Sequence, residues 1–198
     1  MLNMNRQRNY GVFLIIASIV GFLASFELVV DKIEKLKNPA TVLSCDISPF
    51  VSCGKLMENW QSELFGFPNQ LLGIVAFSIS LFYGILMASK VSMPKWIHIG
   101  FNIGAFLGAV FITWLPIQSI FVIHSLCMWC IVVWACHIPI FVFTTVRNIN
   151  KGLFGKKVKN LAFFKPTMVP VLIVVLWYLI IFASVVLSFF NEFYMMLR

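Results

Sequence analysis

The chain has 198 residues, of which 61% are hydrophobic and only 11% are charged, and its formal net charge is +8. A soluble globular domain carries about 25% charged residues, so this composition excludes an ordinary water-soluble protein and indicates that lipid surrounds most of the surface. The positive charge does not indicate nucleic acid binding, because the basic residues stand in short segments beside apolar runs, where they set membrane orientation.

Uncharged runs extend over residues 9–26, 64–89, 96–146 and 166–191. Each reaches the length of about 18 residues that a membrane-spanning helix needs. The third run is too long for one helix, and Pro116 predicts a turn inside it, because proline removes a backbone hydrogen bond and clashes with the preceding turn. The sequence therefore predicts an all-α membrane protein with five transmembrane helices, at about residues 10–30, 68–89, 96–116, 119–146 and 167–190.

Alternating the five spans across the membrane collects most basic residues on one side. They are Arg6, Arg8, Lys90, Lys95, Arg147, Lys151, Lys156, Lys157, Lys159 and Lys165. Lysine and arginine concentrate in cytoplasmic segments, so we expect this side to be cytoplasmic. A cleaved signal peptide is the alternative interpretation of the first span, but its long apolar run without a small-x-small cleavage site favours a retained helix.

The segment 31–67 is the only sizeable connection on the predicted extracytoplasmic side. Its charged beginning, Asp31 to Lys37, is expected to continue the first helix above the membrane. From Cys53 onward, apolar residues recur at helical spacing and predict a short amphipathic helix that caps the bundle. These residues are Leu56, Met57, Trp60 and Leu64. An ordinary interfacial anchor is an equally good interpretation of the same pattern.

Four of the five cysteines form two pairs on the extracytoplasmic side. Cys45 and Cys53 lie in the loop, whereas Cys127 and Cys130 form a Cys-Met-Trp-Cys motif near the outer end of the fourth span. Disulfides form and persist on that side of a membrane, and the amide groups of a helix start favour a thiolate on the first cysteine. The pairs therefore predict thiol–disulfide exchange, from soluble partners to an apolar two-electron acceptor in the lipid, such as a quinone.

Other interpretations of the cysteines are weaker. Ile131 rather than histidine follows Cys130, which argues against c-type haem attachment. A zinc ion bound by all four thiolates and a pair of purely structural disulfides in a non-enzymatic membrane protein are the remaining alternatives. Cys136 is expected to be inert packing and His124 an interfacial residue, and no role is assigned to His98 and His137.

The two cysteine pairs and their spacing resemble the vitamin K epoxide reductase family, including its bacterial members. The matching residues are Cys45-Asp46, Ser52-Cys53, Cys127-x-x-Cys130 and the segment Phe67-Pro68-Asn69-Gln70-Leu71-Leu72-Gly73. The resemblance covers roughly residues 10–147. It implies a four-helix transmembrane bundle around a quinone site, with the fifth helix of the bacterial form and a place in the bacterial inner membrane.

The resemblance also implies a role for each paired cysteine. Cys127 and Cys130 would be the catalytic pair, with Cys130 facing the quinone, and Cys45 and Cys53 would be the shuttle pair. Cys127 would form a transient disulfide with Cys53, while Cys45 would form the mixed disulfide with a partner. The expected activity is disulfide generation by a thiol:quinone oxidoreductase that uses menaquinone or ubiquinone. Its partner would be a separate, DsbA-like protein with a thioredoxin fold.

Three further residues are expected to contact the quinone: Asn69, Leu72 and Trp134. Asn69 matches an asparagine that hydrogen-bonds a quinone carbonyl in vertebrate members, where a neutral amide donor polarises that oxygen. A helix cap is the alternative role for Asn69. Trp134 stands where vertebrate members have tyrosine, and this change of size predicts a plain quinone as the substrate, with vitamin K epoxide as the alternative.

Overall fold

The computed structural model describes residues 2–48, 50–155 and 168–196. Within these residues the α-helices are α1 (Leu2–Lys37), α2 (Cys53–Met57), α3 (Gln70–Ala88), α4 (Lys95–Ile117), α5 (Met128–Asn150) and α6 (Val169–Met196). All except α2 are long and apolar enough to cross a membrane, which confirms the prediction of an all-α, multi-pass membrane protein with five spans.

Helices α1, α3, α4 and α5 form a bundle, and α6 packs against α5 on its outer surface. The last turn of α1 and the first turns of α3 and α5 lie at one end of this bundle, together with Cys45, Cys53, Cys127 and Cys130; we call this the cysteine end. Helices α3 and α4 meet only loosely, in contrast to the long contact between α1 and α3. The bundle is therefore tight on the α1 side and more open between α3 and α4.

Glycines allow α1 and α3 to approach closely. Gly11 of α1 faces the backbone of Ala88, and Gly84 of α3 faces Leu14, so that a Cβ atom at either glycine would overlap the opposite helix. Lipid provides no hydrophobic driving force between helices, and small residues instead permit the close van der Waals packing that holds membrane helices together. This contact fixes α1 beside α3 along the part of the bundle remote from the cysteines.

The connection between the third and fourth spans differs from the prediction. Helix α4 continues through Pro116 into a π-helical segment, Gln118–Ile123, which ends at His124 with a φ of 53°. The predicted turn near Pro116 is therefore wrong, and the fourth helix begins at Met128 rather than at residue 119. A proline removes only one backbone donor, and the wider turns of a π-segment accommodate such a loss inside a membrane helix.

The segment before α3 forms a shorter cap than predicted. Helix α1 continues through the charged stretch to Lys37, as predicted, and α2 then covers only Cys53–Met57 before a 3-10 turn, Trp60–Glu63. In α2 the apolar Met57 is buried and the charged Lys55 is exposed, which confirms its amphipathic character. Trp60 and Leu64, predicted on the apolar stripe, are exposed, and they lie in and directly after the 3-10 turn rather than on α2.

Charge is unevenly distributed between the two ends of the bundle. Described basic residues at the end opposite the cysteines are Arg6, Arg8, Lys90, Lys95, Arg147 and Lys151. The remaining lysines of the predicted cytoplasmic set, Lys156, Lys157, Lys159 and Lys165, lie outside the described residues. The cysteine end carries most of the acidic residues, including Asp31, Asp46, Glu58 and Glu63.

Candidate active site

The first cysteine pair is joined in a disulfide. The Cα atoms of Cys45 and Cys53 lie 5.8 Å apart, a usual separation for this bond, and both residues are completely buried. Asp31 lies beside them, so three groups that can serve as metal ligands are close together. Zinc binds cysteine as the thiolate, and the disulfide therefore gives no support to the four-thiolate zinc alternative.

The carboxylate of Asp46 holds the loop that carries this disulfide. Its Oδ1 accepts hydrogen bonds from the hydroxyl of Ser52 (2.8 Å) and the N–H of Gly54 (3.0 Å). Its Oδ2 accepts a third hydrogen bond from the N–H of Leu43 (3.0 Å). Burial alone would raise the pKa of Asp46, but these hydrogen bonds and the nearby charge of Lys35 hold that pKa below its ordinary value. The ionised carboxylate thus ties both ends of the loop together.

The second cysteine pair stands at the start of α5. Cys127 is the N-cap residue, and its Sγ accepts a hydrogen bond from the N–H of Cys130 (3.3 Å). Both are free thiols; Cys127 is buried and Cys130 is half-buried. The motif therefore lies at a helix start, as predicted, with the N–H of Cys130 in the first turn directed at the sulfur of Cys127.

The two pairs touch each other. The Sγ atom of Cys127 lies 3.2 Å from the Sγ atom of Cys53, which is 74 residues earlier in the chain. A short backbone pairing holds them together: the N–H of Ser52 donates to the carbonyl of Leu126 (2.9 Å), and the N–H of Leu126 donates to the carbonyl of Phe50 (2.7 Å). Each cysteine directly follows one of the paired residues, so the pairing places a free thiol in contact with a disulfide, the arrangement that thiol–disulfide exchange requires.

A cavity of about 750 Å³ begins at these sulfur atoms and extends along the loose contact between α3 and α4. Cys53, Cys127 and Cys130 line its upper end. Its walls are mostly apolar, and they include side chains on the lipid-exposed faces of α3 and α4, such as Ile79 and Leu107. The cavity therefore opens sideways toward the lipid, and its size is within the usual range of about 300–1,000 Å³ for a small-molecule site.

The three further residues that the family resemblance indicated all line this cavity: Asn69, Leu72 and Trp134. Asn69 is the N-cap of α3 but its side chain makes no capping hydrogen bond, so the capping alternative is wrong. Instead its Nδ2 donates to the carbonyl of Gln61 (2.6 Å), and its Oδ1 is buried without a hydrogen-bond partner among the described residues. Trp134 is buried in the wall of the cavity. Cys45, the other cysteine of the disulfide, is not among the residues that line it.

Sequence reasoning missed three glutamines that surround Asn69: Gln61, Gln70 and Gln118. All line the cavity, and the Nε2 of Gln61 lies 3.5 Å from the Oε1 of Gln118. The Oε1 atoms of Gln61 and Gln70 are buried without a hydrogen-bond partner in the described part of the chain. Gln118 gave no signal in the sequence, because the predicted turn near Pro116 placed it between two spans. In the structure it lies inside the third span, where a polar residue is costly unless it serves a function. These amides form a polar patch in a cavity whose walls are mostly apolar.

Cys136, His98 and His124 lie away from the cavity, whereas His137 is one of the residues that line it. Cys136 packs in the apolar core, as predicted. His124 is exposed at the cysteine end. His98 shares a hydrogen bond with the hydroxyl of Tyr83 (2.6 Å), and Nε2 of His137 donates to a backbone carbonyl (3.0 Å). Both interactions satisfy buried polar groups within the membrane region, as helix-to-helix hydrogen bonds commonly do.

Comparison with known proteins agrees with this site. Residues 12–145 match the model of the vitamin K epoxide reductase family, and the matched region contains both cysteine pairs and every residue described here around the cavity. No curated protein matches the sequence.

Proposed function

Because this chain belongs to the vitamin K epoxide reductase family, we propose that it is a disulfide-generating thiol:quinone oxidoreductase. Electrons pass from a reduced, DsbA-like partner with a thioredoxin fold to Cys45 and Cys53, then to Cys127 and Cys130, and finally to a membrane quinone. The observation that carries this proposal is the 3.2 Å contact between the sulfur atoms of Cys53 and Cys127 at the wall of an apolar cavity.

The first half of the cycle moves electrons from the partner to the cavity. A partner thiolate attacks Sγ of Cys45, the Cys45–Cys53 bond breaks, and Cys53 leaves as a thiolate. Cys53 then attacks Sγ of Cys127 in an oxidised Cys127–Cys130 pair, and Cys130 leaves as a thiolate beside the cavity. The half-buried position of Cys130 in the cavity wall suits this role.

The second half of the cycle restores the shuttle pair. The partner's second thiol displaces Cys45 from the mixed disulfide, and Cys45 then attacks Cys53 and releases Cys127 as a thiolate. Cys45 and Cys53 are then oxidised and Cys127 and Cys130 reduced, which is the combination of a disulfide and two free thiols described above. A bound quinone supplies an acceptor for two electrons and two protons and leaves as the quinol.

The cavity has the features that a quinone requires. Its apolar walls and lateral opening between α3 and α4 suit a ring with a lipid tail, and the amides of Asn69 and Gln61 suit the ring oxygens. Asn69 retains a free N–H that can donate to a quinone oxygen, since only one of its amide protons is used by the carbonyl of Gln61. With Trp134 in the wall, we propose menaquinone or ubiquinone rather than vitamin K epoxide as the substrate.

We further propose that the cysteine end faces the extracytoplasmic side of a bacterial inner membrane. The concentration of described basic residues at the opposite end supports this orientation, because lysine and arginine next to membrane spans favour the cytoplasm. The Cys45–Cys53 disulfide is also stable in an oxidising compartment.

The test is anaerobic mixing of the dithiol-reduced, purified protein with a menaquinone or ubiquinone analogue, followed by quinone absorbance. We expect rapid quinone loss that Cys127→Ala and Cys130→Ala abolish. Cys136→Ala removes a cysteine from the same helix but outside the relay and is the matched control, with unchanged loss expected. Full activity in Cys130→Ala, or no loss with either quinone, would contradict the proposed function.

A further inference from the structure

Asp31 occupies an unusual position for a carboxylate. It lies on α1, 14 residues before Cys45, and its Oδ2 is 3.4 Å from the Sγ of Cys45. The residue is only 7% exposed and stands against the apolar cluster formed by Leu28, Leu43 and Met57 around the disulfide. A charged group removed from water in this way is costly unless a partner or a function retains it.

The nearby lysines do not neutralise Asp31. Lys32 turns to Glu63, with 2.9 Å between Nζ and Oε1, and Lys35 turns to Glu58 at 3.2 Å. No ion pair reaches Asp31 within the described residues. The other acids whose charges act on it are Glu27, Glu34 and Asp46. The sulfur of Cys45 is therefore the polar contact of Asp31 within the described residues. The neighbouring acids do not cancel the charge of Asp31, and the neighbouring lysines are paired with other acids.

We propose that Asp31 is the general base for Cys45 in the step that re-forms the Cys45–Cys53 disulfide. This inference rests on the relay proposed above and assigns a proton path to it. The substrate of the step is the chain's own Cys53–Cys127 mixed disulfide.

The step moves one proton and exchanges one disulfide bond for another. The proton on Sγ of Cys45 passes to Oδ2 of Asp31 while Sγ of Cys45 attacks Sγ of Cys53. The Cys45–Cys53 bond forms, the Cys53–Cys127 bond breaks, and the electron pair leaves on Sγ of Cys127. The N–H of Cys130 already points to that sulfur and stabilises the thiolate. In each cycle Asp31 first gives this proton to Sγ of Cys45 when the partner's second thiol displaces Cys45 from the mixed disulfide. Asp31 therefore begins the step ionised and ends it protonated, ready for the next displacement.

Burial explains why such a base is needed. Cys45 is completely buried, so bulk water is not at hand to accept its proton. The thiolate is the attacking species in disulfide exchange, and burial in apolar surroundings disfavours it. A carboxylate in contact with the thiol removes the proton only as the new bond forms, which avoids a free buried thiolate.

The fully reduced protein allows a test without the natural partner, because its two cysteine pairs hold electrons for two successive quinones. The first quinone takes electrons from Cys127 and Cys130 directly. The second requires the Cys45–Cys53 disulfide to form and therefore depends on Asp31. We expect Asp31→Asn to leave the first phase unchanged and to slow the second about 100-fold near neutral pH, in the range usual for loss of a general base. The difference from the wild type should shrink as pH rises, since more thiol ionises unaided.

Trapping of the reaction intermediate distinguishes the loss of a general base from a general loss of structure. Acid quenching and alkylation of Asp31→Asn during the second phase should trap the Cys53–Cys127 disulfide, as Cys45→Ala must also do. Glu34→Gln, which removes an exposed carboxylate one turn along α1, is the matched control and should trap none. If Asp31→Asn is not stably folded, Asp31→Ser carries the same test.

The results distinguish a failure of the role of Asp31 from a failure of the proposed function. Second phases of equal rate in Asp31→Asn and the wild type, or no trapped Cys53–Cys127 disulfide, would overturn the role of Asp31 while leaving the relay intact. Absence of the first phase in the wild type would instead overturn the proposed function on which this inference rests.

Discussion

The hydrogen bonds to Asp46 predict that this carboxylate sets the stability of the Cys45–Cys53 disulfide. In Asp46→Asn, a side-chain oxygen can still accept from Ser52 and Gly54, but an NH2 group then faces the N–H of Leu43. One charge-assisted hydrogen bond is lost, and such bonds contribute about 1.5–3 kcal/mol. We take the lower value of about 1.5 kcal/mol because Asp46 is only partly buried.

The loss of this hydrogen bond is measurable as a change in the reduction potential of the Cys45–Cys53 disulfide. The oxidised loop is the form that the hydrogen bonds stabilise, so their loss should make the disulfide easier to reduce. For a two-electron couple about 1.4 kcal/mol corresponds to about 30 mV, and we expect the potential of Asp46→Asn to rise by roughly that amount. Asp46→Ala, which removes all three bonds, should shift it at least twice as far.

The assay is equilibration in glutathione buffers followed by alkylation and mass measurement of the peptides that contain Cys45 and Cys53. A Cys127→Ala background isolates this pair from the second one. Glu58→Gln is the matched control, because it removes an exposed acid from the same loop region. Potentials of Asp46→Asn and Asp46→Ala equal to that of the background would refute the idea that this carboxylate stabilises the oxidised loop.

Three other predictions follow from the structure. The folded-state pKa of Asp46 is depressed, so the stabilisation that its carboxylate provides is fully present above about pH 4, the unfolded value, and is lost as pH falls through the lower folded value. The difference in reduction potential between the wild type and Asp46→Ala should therefore close at low pH. A difference that does not depend on pH would contradict this. Gln61→Leu removes a buried amide from the cavity and should raise the KM for quinone up to about tenfold, the effect of losing one hydrogen bond. The exchange between Cys53 and Cys127 should be unchanged. An unaltered KM would show that Gln61 does not contact the quinone. Gly11→Ala should lower the free energy of unfolding in detergent by about 1–3 kcal/mol, because the added methyl group overlaps α3. Gly100→Ala, where the added methyl group meets open space, should not lower it. Equal effects of the two substitutions would contradict the packing argument.

The sequence was informative wherever one local property decides the structure. Long apolar runs predicted the five spans, because only helices satisfy the backbone in lipid. The Cys127-x-x-Cys130 spacing predicted a cysteine pair at a helix start, and the structure places both cysteines there. The position of the turn after the third span was wrong, since Pro116 signals a lost hydrogen bond but does not say whether a π-segment will absorb it.

Features that depend on contacts between distant segments were beyond such reasoning. The pairing of Ser52 with Leu126 brings Cys53 to Cys127, and nothing in either segment taken alone predicts the other as its partner. In the sequence, Asp31 is one of several charged residues near the end of the first helix. Its contact with Cys45 was not predicted, because that contact depends on how the loop folds back over α1. The family resemblance implied that Cys53 meets Cys127, but it supplied neither the pairing of Ser52 with Leu126 nor the contact of Asp31 with Cys45.

The complete burial of Cys45 has a consequence for the selectivity of the proposed reaction. A small thiol in solution would find Cys45 covered, so it would not reduce the disulfide directly. In the proposed function, a protein that binds the loop and displaces the residues above Cys45 would gain access. Burial would thus restrict the reaction to partners that recognise the surface around the disulfide.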